Sequence, residues 1–167
     1  HISDIHIHNN KRHREYKLVF EKLIIRLKML TKNEKEESLI IITGDILDKS
    51  NKITAECLSL TKELLLELSK ICHIIIIAGN HDDNRRNNMS NTRCDILETI
   101  INKTIMGGIN EKIHYFKDRG IYQVGNINFG LTSVFDNRLL GSEEIKDNKR
   151  YKIALYHGQI RCKKYNV

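Results

Sequence analysis

The chain has 167 residues, 40% of them hydrophobic and 29% charged, which excludes a disordered polar tail and predicts one globular domain with a sizeable core. No apolar run approaches the ~18 residues that would span a bilayer, and Cys57, Cys72, Cys94 and Cys162 make neither a CxxC pair nor zinc-finger spacing. The net charge, 28 − 21 = +7, favours a polyanionic partner, with solubility the plainer use of lysines scattered along helix faces.

Residues 1–5 predict a first strand, and residues 7–14 a polar, basic loop that contains Lys11-Arg12-His13-Arg14. Over 15–30, Phe20, Leu23, Ile24, Leu27 and Leu30 recur at helical spacing. A charged connection at 32–37 leads to a second strand at 38–43. A second helix over 53–70 places Cys57, Leu58, Thr61, Leu64, Leu65 and Leu68 on its inner stripe. The run at 73–78 is short, β-branched and without polar alternation, as in a strand covered on both faces. Cys57 and Cys72 fall among apolar residues and read as small core residues of a reducing compartment. The order strand, helix, strand, helix, strand implies right-handed crossovers and a parallel sheet. A polar loop rich in Asn and Arg follows, then a short helix at about 94–101. Strands are predicted at 113–116, 121–124 and 127–132, the last two joined by the turn pair Gly125-Asn126. Residues 137–150 read as loop with room for a short helix, and 152–156 as the last strand. No repeat, linker or second domain is visible.

Four of these strands end in residues that bind metals or move protons: Asp4-Ile5-His6, Gly44-Asp45-Ile46-Leu47-Asp48, Gly79-Asn80-His81-Asp82 and His157-Gly158. In open α/β sheets, sites form beyond the carboxyl ends of strands, so one shared metal site is expected. Asp4 and His6 are two apart, and an extended segment presents both on one side. The Asp45 carboxylate can bridge two cations, Asn80 offers a carbonyl oxygen and His157 an imidazole nitrogen. This oxygen–nitrogen set suits manganese, iron, zinc or nickel better than calcium, and the lack of thiolates argues against a structural zinc site. Gly44 and Gly79 permit the tight turns that bring the ligands together. His81, beside a ligand, is placed to protonate a leaving oxygen or to stabilise charge on the phosphate. Each piece alone has a plain reading, as a surface Asp-x-His or a Gly-Asp turn; four in this order, each at a strand end, do not. His8, His13, His73 and His114 lack such context and read as surface or strand-edge residues.

Together these motifs resemble the calcineurin-like metallophosphoesterases, over nearly the whole chain. The opening Ile-Ser-Asp-Ile-His-Ile-His, the basic segment after it and Gly-Asn-His-Asp are most similar to the DNA repair exonuclease branch, which includes the SbcD-type nucleases and their phage and viral relatives. The resemblance implies an α/β fold, a four-layer α/β/β/α sandwich, with a di-metal centre of two divalent ions, usually manganese, and hydrolysis of phosphodiesters. Carried onto this chain, it implies that Asp4 and His6 bind the first metal, Asp45 bridges both, Asn80 and His157 bind the second, and His81 is the catalytic histidine. Asp48 would orient the site from behind, at a position where several repair nucleases carry histidine. DNA is the implied partner, with an ATPase subunit beside it, no membrane, and a cytoplasmic setting (host cytoplasm or nucleus for a viral chain).

The family also has a last Gly-His-x-His motif that gives one more ligand to each metal and lies downstream of the position of His157. Only ten residues follow His157 and none is histidine. The chain also opens on His1 as if in mid-strand. The expectation is a metallophosphoesterase domain over 1–167 that is a fragment, clipped at its start and cut before the final motif. Two other functions compete with a DNA phosphodiesterase: hydrolysis of a phosphoprotein or small phosphoester by the same chemistry, and a catalytically silent scaffold of the same fold.

Overall fold

A computed structural model describes residues 1–9, 11–33, 38–48, 53–83, 95–101, 111–136, 138–146 and 150–158. The elements, in order, are α1 (His13–Leu30), β1 (Leu39–Thr43), α2 (Ala55–Ser69), β2 (His73–Ile77), α3 (Ile96–Ile101), β3 (Ile113–Phe116), β4 (Gly120–Val124), β5 (Ile127–Thr132) and β6 (Tyr151–Tyr156), with a 3-10 turn at Ser142–Glu144 before β6. The start of the predicted third helix, including Cys94, lies outside the described residues, as do Arg85, Arg86 and Cys162.

Two sheets form. In the first, β1, β2 and β3 run parallel in that order, with Leu39 opposite His73 and Ile74 opposite Ile113. In the second, β4 pairs antiparallel with β5, and β5 pairs parallel with β6. Gly125 turns the β4–β5 hairpin at φ 55, a backbone region that glycine enters without steric cost.

The apolar runs of the first sheet have two faces to fill. Ile40, Ile42, Ile74 and Ile76 point to a core shared with the helices, which contribute Phe20, Leu60, Leu64, Leu68, Leu97 and Ile100. Leu39, Ile41, Ile75, Ile77 and Phe116 point the other way, onto Phe129, Leu131 and Leu155 of the second sheet. Alternate residues therefore serve two cores, so these strands carry no polar alternation. The described residues supply helix, sheet and sheet layers of a mixed α/β sandwich. The Thr54 hydroxyl caps α2 by accepting the Cys57 backbone N–H at 3.3 Å.

Three expectations change. The predicted first strand is reduced to two isolated parallel bridges beside the first sheet, Ile2 with Ile42 and Ile7 with Leu47. Between them Asp4 and His6 take left-handed backbone angles, φ 55 and 47, which no ladder tolerates. Helix α1 begins at His13, two residues earlier than its periodicity suggests. Its inner face is Tyr16, Phe20, Ile24 and Leu27, whereas Leu30 in the last turn is 60% exposed, with none of the described residues packed over it.

Candidate metal centre

The site lies where β1, β2 and β6 end and the N-terminal segment crosses them. A cavity of about 660 Å³ is lined there by Asp4, His6, Asp45, Asn80, His81 and His157, among others. Six of the seven site residues picked out in the sequence thus meet in one cavity. The seventh, Asp48, sits behind it.

Glycine makes this convergence possible. Gly44 follows β1 at φ 94, and a Cβ there would lie 2.6 Å from the Gly79 nitrogen and 2.8 Å from His157 Nδ1. A Cβ on Gly79 would overlap the Asp45 carboxylate. The loops after β1 and β2 therefore touch backbone to backbone, which only glycine allows at both positions.

Asp45 is buried and stands at the centre. Its Oδ2 is 3.6 Å from His6 Nε2 and 3.2 Å from His157 Nε2, while Oδ1 accepts the His81 backbone N–H at 2.9 Å. Among the described residues, two groups of three possible metal donors share it: His6, Asp45 and His81, and Asp4, Asp45 and His157, with donor atoms within 4.8 Å in each. The grouping differs from the family-implied assignment. It joins Asp4 to His157 across the cavity and brings His81 beside His6, their rings edge-to-face at 4.7 Å.

Asp4 and His6 do not share one side of an extended segment as the spacing predicts. Each takes a left-handed turn, as does Asp45 at φ 52, and these turns aim the three side chains into the cavity. Non-glycine residues in this region concentrate at functional sites. The Ser3 hydroxyl bonds to the Asp4 carboxylate and holds it below the ordinary carboxylate range, opposed by burial and aided by His157 and His6.

The donor atoms fit a cation. His157 Nδ1 donates to the Thr43 carbonyl at 2.7 Å, which leaves the Nε2 lone pair facing Asp45 Oδ2 and Asn80 Oδ1, each 3.2 Å away. A lone pair among acceptor oxygens is repulsive unless a cation, a proton or a metal ion, lies between them. His81 is tied back in the same way: Nδ1 donates to the Asp48 carbonyl at 2.6 Å. Asp48 also faces His6, with Oδ1 4.0 Å from His6 Nδ1.

Asp82 was given no role by its place in the sequence. It is fully buried, and its carboxylate accepts backbone N–H groups from Gly79 (3.0 Å), Leu47 (3.1 Å) and Ile46 (3.4 Å). It thus ties the exit of β1 to the exit of β2. Burial pushes its pKa up to about 6, against the pull of those three N–H groups. Two contacts from α1 were equally unread: the Tyr16 hydroxyl donates to the His6 carbonyl at 2.6 Å, and His13 Nε2 to the His8 carbonyl at 2.7 Å.

A model of the calcineurin-like phosphoesterase family matches residues 1–166. An uncharacterized protein of Acanthamoeba polyphaga mimivirus is 38% identical over 176 residues, which take in all of this chain and 12% of that protein. The chain therefore spans about an eighth of the length of the relative it matches. No helix among the described residues is long and apolar enough to cross a membrane.

Proposed function

The chain belongs to the calcineurin-like phosphoesterase family, and from that premise we propose that it is a metal-dependent phosphodiesterase acting on DNA, served by two manganese ions. The observation that carries this reading is the single Asp45 carboxylate shared by two donor groups, the arrangement a pair of cations requires of a bridging ligand. Asp4, His6, Asn80 and His157 would complete the protein's share of the coordination. When bound, two such ions activate a water and hold both oxygens of an in-line phosphoryl displacement.

The protein's own groups have distinct tasks. Asp45 is fixed by the His81 N–H, so its free oxygen stays aimed at the cavity. His157 is held by Thr43 with Nε2 inward. His81 is held by Asp48 with Nε2 free, and in its protonated form would deliver a proton to the leaving oxygen. Its place beside His6 and Asp45 favours a second reading, in which it is a ligand. For substrate, the support is charge: the net +7, and the exposed Lys11, Arg12 and Arg14 at the head of α1, just after the ligand-bearing segment. Such cations suit a nucleic-acid backbone.

The deciding experiment, run on a chain that includes the Gly-His-x-His motif, offers manganese-loaded protein a phosphodiester, bis(p-nitrophenyl) phosphate, the matching monoester, and end-labelled DNA. Hydrolysis of the diester and shortening of the DNA, both stopped by chelator, are expected. Hydrolysis of the monoester alone would replace this reading with that of a small-molecule or protein phosphatase. No hydrolysis with metal bound would leave the scaffold.

A further inference from the structure

The wall of the metal cavity carries a phenol ring to which the metal chemistry gives no part. Tyr156 is the last residue of β6, immediately before His157, and its side chain lines the cavity while remaining 41% exposed. We propose that the Tyr156 ring is a stacking platform for the nucleobase beside the scissile phosphate, and so sets a preference for nucleoside phosphodiesters over small alkyl ones. The inference rests on the phosphodiesterase reading and names the ester group that the same site selects.

Strand geometry sets where the ring stands. Side chains alternate along a strand; Leu155 is buried in the core between the sheets, so Tyr156 points away from that core. Its backbone pairs with Thr132 in the β5–β6 ladder, which fixes the stem of the ring. The ring leans forward along the chain, since a Cβ on Gly158 would lie 2.7 Å from its Cζ. It therefore stands beside His157, whose Nε2 faces Asp45. A tyrosine has only two side-chain torsions, so holding it against a ligand costs little entropy. The other lining side chains are imidazoles, carboxylates, an amide and small hydroxyls. Among the described residues of the wall, this ring is the broadest apolar face. A phosphodiester at the centre turns its ester groups toward the wall. A methyl group gains little there, whereas a base lays its flat face on the ring, and every base has such a face, so the contact is indifferent to sequence. Tyr151, at the other end of β6, is 74% exposed but does not line the cavity. Position, and not exposure, assigns the role to Tyr156.

The test uses two esters with one leaving group, thymidine 5′-(p-nitrophenyl phosphate) and methyl p-nitrophenyl phosphate, on the manganese-loaded chain that includes the Gly-His-x-His motif. Wild-type protein should favour the nucleoside ester in kcat/KM. Tyr156→Ala should lower kcat/KM on that ester about 5- to 100-fold, the range of one base–aromatic stack. The loss should fall mainly in KM, with the methyl ester nearly unchanged. Tyr156→Phe should keep the preference, Tyr156→Leu should lose it, and the control Tyr151→Ala should match wild type. Equal loss on both esters in Tyr156→Ala would make the ring a support of His157 and overturn the proposal. So would an absent preference in wild type, an unchanged preference in Tyr156→Ala, or a lost preference in Tyr156→Phe. A second readout needs no turnover. On adding 5′-thymidylate to zinc-loaded protein, which is diamagnetic, the thymine protons should shift upfield through the ring current in wild type and Tyr156→Phe, but not in Tyr156→Ala. Hydrolysis of neither ester by wild type would sink the phosphodiesterase reading, and the ring-current shift would still decide whether Tyr156 stacks on a base.

Discussion

The Asp82 carboxylate accepts the backbone N–H of Gly79 at 3.0 Å, three residues before it in the chain. The same carboxylate reaches the N–H groups of Ile46 and Leu47 across the sheet ends, so one buried acid closes two loops at once. Removing it strands three inward-facing donors. Asp82→Ala should cost about 3 kcal/mol or more, since bonds to a charged group are worth ~1.5–3 kcal/mol each. Urea denaturation of the metal-free protein measures this. A loss under about 1 kcal/mol would mean the loops close without Asp82.

Asp45→Asn tests the shared carboxylate. The amide keeps the shape but loses the charge that two cations would share, so manganese uptake should fall from two ions to one or none, with hydrolysis abolished. Calorimetry showing two ions bound at wild-type affinity would rule out a bridging Asp45.

His81→Ala separates the two roles open to His81. As a proton donor it should leave metal content near normal while turnover falls about 100-fold or more. As a ligand it should lower metal content and turnover together. Metal analysis beside diester hydrolysis distinguishes them, and wild-type rates would remove His81 from the mechanism.

Binding of DNA should weaken as salt rises, because each phosphate neutralised by a lysine or arginine releases counterions. Replacing Arg12, Arg14, Arg85 and Arg86 by Ala should weaken binding and flatten the salt slope, with little change in hydrolysis of the small diester. Arg12 also pairs with Glu15, so a Glu15→Gln control separates loss of charge from loss of that pair. Equal loss on both substrates would make the arginines supports of the site itself.

The parts of the fold written in local pattern were legible in the sequence. The Ile runs of β1 and β2 and the stripes of α1 and α2 announce strand and helix because their spacing is that of the structure. The meeting of Asp45, Asn80, His81 and His157 in one cavity follows the same logic, because β1, β2 and β6 run out just before them. Geometry that depends on distant groups was not legible. The turns at Asp4 and His6 break the expected strand, and nothing in residues 1–5 signals them. Asp82 looks like any loop acid until the loop from Gly44 to Leu47 is laid against it. Leu30 continues a helical stripe but outruns the core it would pack on. His8 and His13 read as surface or strand-edge residues, and their contacts, His8 with Asp48 and His13 with the His8 carbonyl, appear only in the folded chain.

The left-handed turns at Asp4, His6 and Asp45 bear on the history of this chain. Each such residue costs roughly 1–3 kcal/mol that glycine would not. A lineage with no use for the cavity would drift most easily toward glycine at these three positions, relieving strain and losing the site in one step. At these three positions the chain carries two carboxylates and an imidazole instead, at the cost of that strain. The same logic reaches the bench: metal-free Asp4→Gly should melt no lower than wild type. A melting temperature several degrees lower would mean that Asp4 steadies the fold and that its retention needs no catalytic reason.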